Sequence, residues 1–307
     1  MSTHAVWARH NHAQETTARM TARITLTQGK FRCDIEPDLG ACIAGLWFGG
    51  EALLRSSAPG QIKTAREAGS YPLVPFSNRI GHATLTWNGT SHPLVKNFGN
   101  EPHAIHGVGW QRPWEVLDAS DSFAMLSYQH RPDASWPFAF DTSQAFRLTG
   151  NELAVTLSIT NQSKTATPVG LGWHPYFVKR PGSHVTFAAS GRWEMDAAKL
   201  PTHRTVSDGL NADCAALDVD HCFDGWNGEL HLRDGKFNTR VSSTMQRLVV
   251  YTNPAQACIA IEPVSHVNNA IELMARKVAS AEELGVRVLQ PGESMSAEMT
   301  IRVDAAK

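Results

Sequence analysis

From Arg23 onward, apolar residues recur at alternate positions in short runs, and turn residues separate the runs. Successive side chains of a strand point to opposite faces, so this period of two predicts β-structure with one buried face. Residues 23–27 and 30–35 flank Gln28-Gly29 and predict a hairpin. Residues 42–48 predict a third strand, closed by Gly49-Gly50. Residues 73–80 read as a further β segment ending at Gly81, and residues 83–87 and 90–94 flank Asn88-Gly89, a strong hairpin signal. A meander follows over residues 114–117, 123–130, 143–148 and 153–160, with Thr149-Gly150-Asn151 turning the last pair. The apolar run that ends in Gly170-Leu-Gly-Trp-His-Pro-Tyr-Phe177 is strand-like, as are residues 185–188, 230–232, 237–241, 247–251 and 258–261. Residues 268–284 predict one or two helical turns, and residues 286–289 and 295–303 flank Pro291-Gly292 and predict a closing hairpin.

About twenty short strands with very few helices predict an all-β fold, a large antiparallel β-sandwich. No Pro/Ser linker and no change of composition divides residues 23–307, which read as one domain. Two stretches, residues 56–71 and 96–109, lack any period; connections of that length usually carry function. Residues 1–22 are polar and lack the apolar core of a secretory signal, so they read as a flexible extension rather than a structured element. Their His4, His10 and His12 give no reason to expect a metal site.

Composition narrows the picture only a little. The 307 residues carry a formal net charge of -1 and no lysine-arginine block, which argues against nucleic acid as a partner. No apolar run reaches the roughly 18 residues of a membrane helix. Cys33, Cys42, Cys214, Cys222 and Cys258 are scattered without C-x-x-C spacing, so they read as reduced, mostly buried thiols of a cytoplasmic protein.

Polar residues that interrupt apolar strands are the ones that could carry chemistry. His174 lies between Trp173 and Pro175, either as a packed histidine or as a proton-transfer group. Glu262 follows Cys258-Ile-Ala-Ile261, a run that should be buried, so it needs an ion-pair partner or serves as a general base. Asn78-Arg79 ends an apolar run; the guanidinium either closes a salt bridge or offers a fork of donors to ligand oxygens. His103 and His106 sit in a glycine-flanked loop with no third ligand at metal spacing. Asp220-His-Cys-Phe-Asp-Gly-Trp-Asn-Gly228 mixes polar and aromatic residues, as turns and sugar sites both do. The chain has no G-x-S-x-G elbow, phosphate-cradling loop or G-x-G-x-x-G after a strand, which sets aside serine-hydrolase and nucleotide readings.

Taken in order, Pro75-Phe-Ser-Asn-Arg-Ile80-Gly81, His103-Ala-Ile-His-Gly107, Gly172-Trp-His-Pro-Tyr-Phe177, Asp220-His-Cys-Phe223 and Glu262-Pro-Val-Ser-His266 resemble the aldose 1-epimerase family, the galactose mutarotases. The likeness is greatest to its bacterial branch with an E-P-x-S-H motif. The resemblance implies the galactose mutarotase-like supersandwich with a carbohydrate cleft, and a monomer or dimer acting on a free monosaccharide. It implies Glu262 as catalytic base and His174 as catalytic acid, with Arg79, His106 and Asp220 on the sugar and Asn78 and Tyr176 beside them. Opening a hemiacetal needs one base at O1 and one acid at the ring oxygen, so neither a metal nor an organic cofactor is expected. Both groups are expected to titrate near the working pH, and Trp226 or Trp110 to stack on the sugar. One departure is the short connection between residues 247–251 and Glu262, which puts galactose itself in question. Hexose 6-phosphates rank second, because the only basic residues apparent near these motifs are Arg112 and Lys179-Arg180. The rival from another class is a non-catalytic carbohydrate-binding or sensing protein on the same sandwich. A polysaccharide lyase or hydrolase would ask for a longer cleft, which nothing in the sequence requires.

Overall fold

Alternation of buried and exposed positions becomes pairing throughout residues 23–306, which the computed structural model describes. The expected extension at 1–22 lies outside the described residues. Every paired strand among the described residues is antiparallel to its neighbours, and two large sheets of nine and eight strands dominate. The nine-stranded sheet grows from the meander Glu115–Ala119, Phe123–His130, Phe140–Leu148 and Glu152–Asn161. It continues through Ser294–Ala305, Phe237–Ser243 and Glu229–Arg233. In Glu152–Asn161 alternate residues Leu153, Val155, Leu157 and Ile159 are fully buried. Each such aliphatic side chain contributes about 1.5–3 kcal/mol by leaving water. The sheets share one core, and Trp173 of the eight-stranded sheet donates its indole N–H to Gln144 of the nine-stranded one at 2.8 Å.

The predicted first hairpin forms as Ile24–Gln28 against Phe31–Glu36, and Thr84–Trp87 pairs with Thr90–Pro93 across Asn88-Gly89. Asn88 and Gly89 have φ of 48° and 76°, the left-handed pair that such a two-residue turn demands. Helices Ala270–Ala275 and Ala281–Leu284 occupy the segment expected to hold helical turns, the second opened by a capping box between Ser280 and Glu283. The five cysteines are free, and four of them are buried. Among the described residues, no helix is long and apolar enough to cross a membrane.

Three expectations fail for local reasons. Residues 286–289 and 295–303 do not form a hairpin with each other. Arg287–Leu289 pairs with Thr167–Val169, while both edges of Ser294–Ala305 are taken by Glu152–Asn161 and Phe237–Ser243. Residues 73–80 are not continuous strand: Val74 makes an isolated bridge to Gly107, and only Pro72–Leu73 and Arg79–Ile80 are strand. Pro75 between them lacks an N–H and follows a cis bond, and Asn78 takes a left-handed φ of 52°. Four strands of four or more residues were not foreseen: Gly191–Met195, Pro201–Val206, Leu210–Asp213 and Val219–Asp224. Runs such as Thr202-His-Arg-Thr205 have no apolar alternation, because their outward face meets water.

Candidate active site

Three neighbouring strands of the eight-stranded sheet build the floor of a cleft. Val219–Asp224 pairs with Arg247–Thr252, which pairs with Cys258–Val264. Asp220 stands opposite Tyr251, and Val249 stands opposite Glu262. Residues directly opposite in an antiparallel ladder share a face, as do residues two apart in one strand. Asp220, Tyr251, Val249 and Glu262 are therefore presented together. Tyr176, opposite Ala260 on the other edge of Cys258–Val264, joins the same face two positions from Glu262. The strand order thus gathers residues distant in sequence without any special loop.

His174 stands at a break between two short strands, Gly172–Trp173 and Tyr176–Val178. Its N–H donates to the carbonyl of Tyr71 at 3.0 Å, and that of Tyr176 donates to Gly69 at 2.8 Å, so residues 69–71 hold the turn in place. The imidazole stacks on Tyr176 and Tyr71, with ring centroids 4.4 and 4.9 Å apart. Its Nε2 lies 3.1 Å from Oε1 of Glu262 and 3.4 Å from the Tyr176 hydroxyl.

The opposite wall carries Asn78, Arg79 and His106. Arg79 and Ile105 face each other in a two-residue ladder. Asn78 N–H donates to Nδ1 of His106 at 3.1 Å, and His106 N–H returns a bond to the Asn78 carbonyl at 2.8 Å. The first bond places the His106 proton on Nε2, leaving that atom a donor rather than a lone pair. Both residues sit at positive φ, 52° and 62°, a conformation that costs free energy and recurs at functional sites. Gly107 follows because a Cβ there would meet the Val74 carbonyl oxygen at 2.2 Å.

Beneath this wall, His266 is a support. Its Nδ1 donates to the carbonyl of Val267 at 2.7 Å, and its Nε2 accepts from Ser77 N–H at 3.1 Å. Asn269 accepts from Gly81 N–H at 2.9 Å and donates its own N–H to the Arg79 carbonyl at 3.0 Å. Residues 77–81 are thus fastened to the segment that follows Glu262. Gly170 has no side chain because a Cβ would lie 2.0 Å from the His266 ring.

The cleft between these walls has a volume of about 650 Å³, within the usual range for a small-molecule site. His174, Glu262, Arg79, His106, Asp220, Asn78 and Tyr176, each singled out from the sequence, all line it. His174, Glu262, His106 and Asn78 are no more than 6% exposed. A ring nitrogen of His106, a ring nitrogen of His174 and a carboxylate oxygen of Glu262 lie within 4.8 Å of one another. Arg79 donates to Asn78 Oδ1 at 3.2 Å and lies 3.8 Å from Glu101. Lys199 donates to Asp220 at 2.6 Å. Oε2 of Glu262, Nδ1 of His174 and Nε of Arg79 are buried without a hydrogen-bond partner in the protein, although buried polar atoms normally have one.

Burial sets the electrostatics. Desolvation, with a smaller contribution from Asp220, raises the Glu262 carboxyl well above the usual carboxylate range, and Arg79 opposes this. Desolvation, then the charge of Arg55, pushes His174 down to about 3. His106 is lowered by burial first, then by His174, Arg79 and Arg66. The expectation of values near the working pH fails for His174, which is pushed far below it, whereas Glu262 moves upward, so burial favours a protonated carboxyl beside a neutral imidazole. The two groups are also in direct contact at 3.1 Å. O1 and the ring oxygen of an aldose are bonded to the same carbon, so the groups that serve them need to be neighbours.

Two further expectations are corrected here. Trp226 and Trp110 do not line the cleft. Both are buried, their indole N–H groups bonded to the carbonyls of Glu229 and Ile105. The aromatic rings that line it are Phe98, Tyr176 and Tyr251. The cleft is also more basic than the sequence suggested. Arg112 and Arg180 pair with Asp133 and Asp234 outside it, but Arg55, Arg66 and Lys199 line it. These three lie in connections with no period to betray their direction. Tyr251 could have been found, since it stands two residues from Val249 at the end of a strand already recognised.

The sequence model of the aldose 1-epimerase family matches residues 22–302. The uncharacterized protein YphB of Escherichia coli (strain K12) is 31% identical over 299 residues, covering 91% of this chain and 98% of YphB. A second E. coli K12 protein, YihR, is 25% identical over 264 residues, covering 80% of this chain and 85% of YihR. A crystal structure of a candidate aldose 1-epimerase from E. coli K12 superposes with a TM-score of 0.83 at 30% identity, covering 93% of this chain and 99% of that one. Galactose 1-epimerase from Lactobacillus acidophilus NCFM shares the fold, with a TM-score of 0.75 at 15% identity over 93% of this chain and 95% of that one. A match over nearly the whole described length places the chain in the aldose 1-epimerase family.

Proposed function

We infer that this chain is a mutarotase: it interconverts the α and β anomers of an aldose by opening and reclosing the sugar ring. The observation that carries this reading is the 3.1 Å contact between His174 and Glu262 on the cleft floor, with the second carboxylate oxygen left unbonded. Glu262 takes the proton of O1 while His174 gives one to the ring oxygen. The C1–O5 bond breaks, C1 becomes an aldehyde, and rotation about C1–C2 presents its other face. Glu262 then returns its proton to O1, His174 recovers the proton of the O5 hydroxyl, and the ring closes as the other anomer.

The pair carries one proton throughout the cycle, and the arrangement that burial favours has a defined place in it. A protonated Glu262 beside a neutral His174 is the state that accompanies the open-chain sugar. Burial therefore stabilises the pair as it stands midway through the reaction. Desolvation disfavours the charged alternative, and the 3.1 Å contact offsets part of that penalty. Nε2–H of His106 and the Arg79 guanidinium donate to sugar oxygens and steady charge on the oxygen that leaves C1. Asp220 accepts from a sugar hydroxyl, while Asn78 and Tyr176 complete the polar lining. Proton transfer by positioned groups of this kind is worth about 10²–10⁴-fold in rate.

Polarimetry of freshly dissolved α-aldoses tests the activity. The protein should speed the approach to anomeric equilibrium for at least one sugar of a panel of neutral and charged aldoses. Binding without acceleration for every sugar would make it a carbohydrate-binding protein on the same fold. Incubation with EDTA should leave the rate unchanged, because the His106 atom nearest the proposed substrate is a donor.

A further inference from the structure

The four cations that line the cleft fall into two kinds. Arg79 and Lys199 face carboxylates, Glu101 at 3.8 Å and Asp220 at 2.6 Å. Arg55 and Arg66 have no carboxylate within ion-pair distance among the described residues. Arg55 is held instead by carbonyl oxygens: its Nε and Nη2 donate to Ala68 at 2.9 and 2.6 Å, and Nη2 also donates to the Arg66 carbonyl. Such bonds fix the direction of a guanidinium without cancelling its charge. Each arginine lies on an aromatic ring, Arg55 3.8 Å above Tyr176 and Arg66 3.6 Å above Phe98. Glu67 also lines the cleft, but its Oε2 accepts from Lys63 N–H at 2.6 Å. The result is two guanidiniums without a carboxylate partner among the described residues, both lining one sugar-sized hollow, Arg55 on the ring beside His174 and Arg66 on Phe98, whose ring lies 6.1 Å from that of His106.

The position of Arg55 relative to the chemistry indicates which part of a sugar it meets. Tyr176 carries Arg55 on its ring and lies 4.4 Å from His174. His174 serves the ring oxygen, which is bonded to C1 and, in a hexopyranose, to C5. The exocyclic group on C5 therefore lies on the His174 side of the sugar. We propose that the preferred substrate is an aldose bearing an anionic group, a carboxylate or a phosphate, on the carbon attached to C5, and that Arg55 and Arg66 grip that group. The proposal rests on the mutarotase reading and names the substrate class of the same site.

Anomer exchange measured by saturation-transfer NMR distinguishes the possibilities. The panel is glucose and galactose, their uronates and their 6-phosphates. Wild-type protein should show a kcat/KM about tenfold or more higher for one charged class than for the parent neutral sugars, the usual scale for charge-assisted hydrogen bonds. Uronates against 6-phosphates decide which anion it is. Arg66→Gln, at an exposed position, should cut the charged-over-neutral ratio at least tenfold, mainly through KM, and Arg55→Met should do the same. Added salt should narrow the ratio in the wild type, and melting curves show whether each variant is folded. Equal handling of charged and neutral sugars by the wild type, or a ratio unmoved in folded Arg66→Gln and Arg55→Met proteins, overturns the proposal while leaving the mutarotase reading intact. No exchange of any of the six sugars overturns both.

Discussion

The floor of the cleft and its rim are built differently. Floor residues Asp220, Tyr251 and Glu262 project from the middle or ends of paired strands, and the His174 turn is tied to backbone on both sides. Rim residues Arg55, Arg66 and Lys199 stand on connections, two of them stacked on aromatic rings. Proton transfer tolerates little misplacement, so its groups sit where hydrogen-bond ladders fix the backbone. Recognition of the sugar's far end tolerates more, so it sits where the chain can vary without disturbing the sheet.

That contrast can be broken most forcefully at His174. His174→Asn should lower kcat for anomer exchange about 10²–10⁴-fold, whereas rim substitutions should act mainly on KM. If His174→Asn kept full activity, or a rim variant lost kcat to the same extent, the division between floor and rim would fail. The next largest effect is expected beneath the wall. His266→Ala leaves Ser77 N–H without its acceptor and opens a cavity, so it should cost about 2–4 kcal/mol of stability in denaturant titrations. Activity should fall with it, because Ser77 precedes Asn78 and Arg79. A change below about 0.5 kcal/mol would show that His266 does not fasten that loop.

The smallest expected effect concerns pH, and its sign differs between groups. His174 and His266 are pushed down by burial to about 3 and about 4, so the folded protein binds fewer protons there than the unfolded chain. Stability from these histidines is present above about 6.5 and is lost as pH falls toward those values. Glu262 is raised, so its contribution is present below about 4.5 and is lost as pH rises toward its folded value. Glu262→Gln removes the second trend. The melting temperature of that variant minus that of wild type should increase from pH 5 to pH 8, and a difference that decreased would reverse the assignment of the carboxyl as raised.

How much of this was legible in sequence follows the same divide. Period-two alternation revealed the meander and the strand leading to Glu262, because one face of each is apolar and the other is not. Glu262 and His174 stood out because a carboxylate and an imidazole interrupt apolar runs. The strand that carries Asp220 was not recognised, since Asp220-His221 breaks its alternation and its ends read as turns. Arg55 and Arg66 could not be placed at all. Their direction depends on bonds to Ala68 and on rings of Tyr176 and Phe98, contacts that no local pattern encodes. The closing hairpin failed for a related reason: the turn at Pro291-Gly292 was visible, but which sheet each arm joins depends on edges already occupied elsewhere.

Glu262→Gln keeps the shape of the side chain and removes only its ability to take and return a proton. Saturation transfer between the α- and β-anomer signals of an aldose turned over by the wild type should therefore vanish to the uncatalysed level in the folded variant. Transfer that persisted at the wild-type rate would show that the carboxylate beside His174 is not the group that opens the ring.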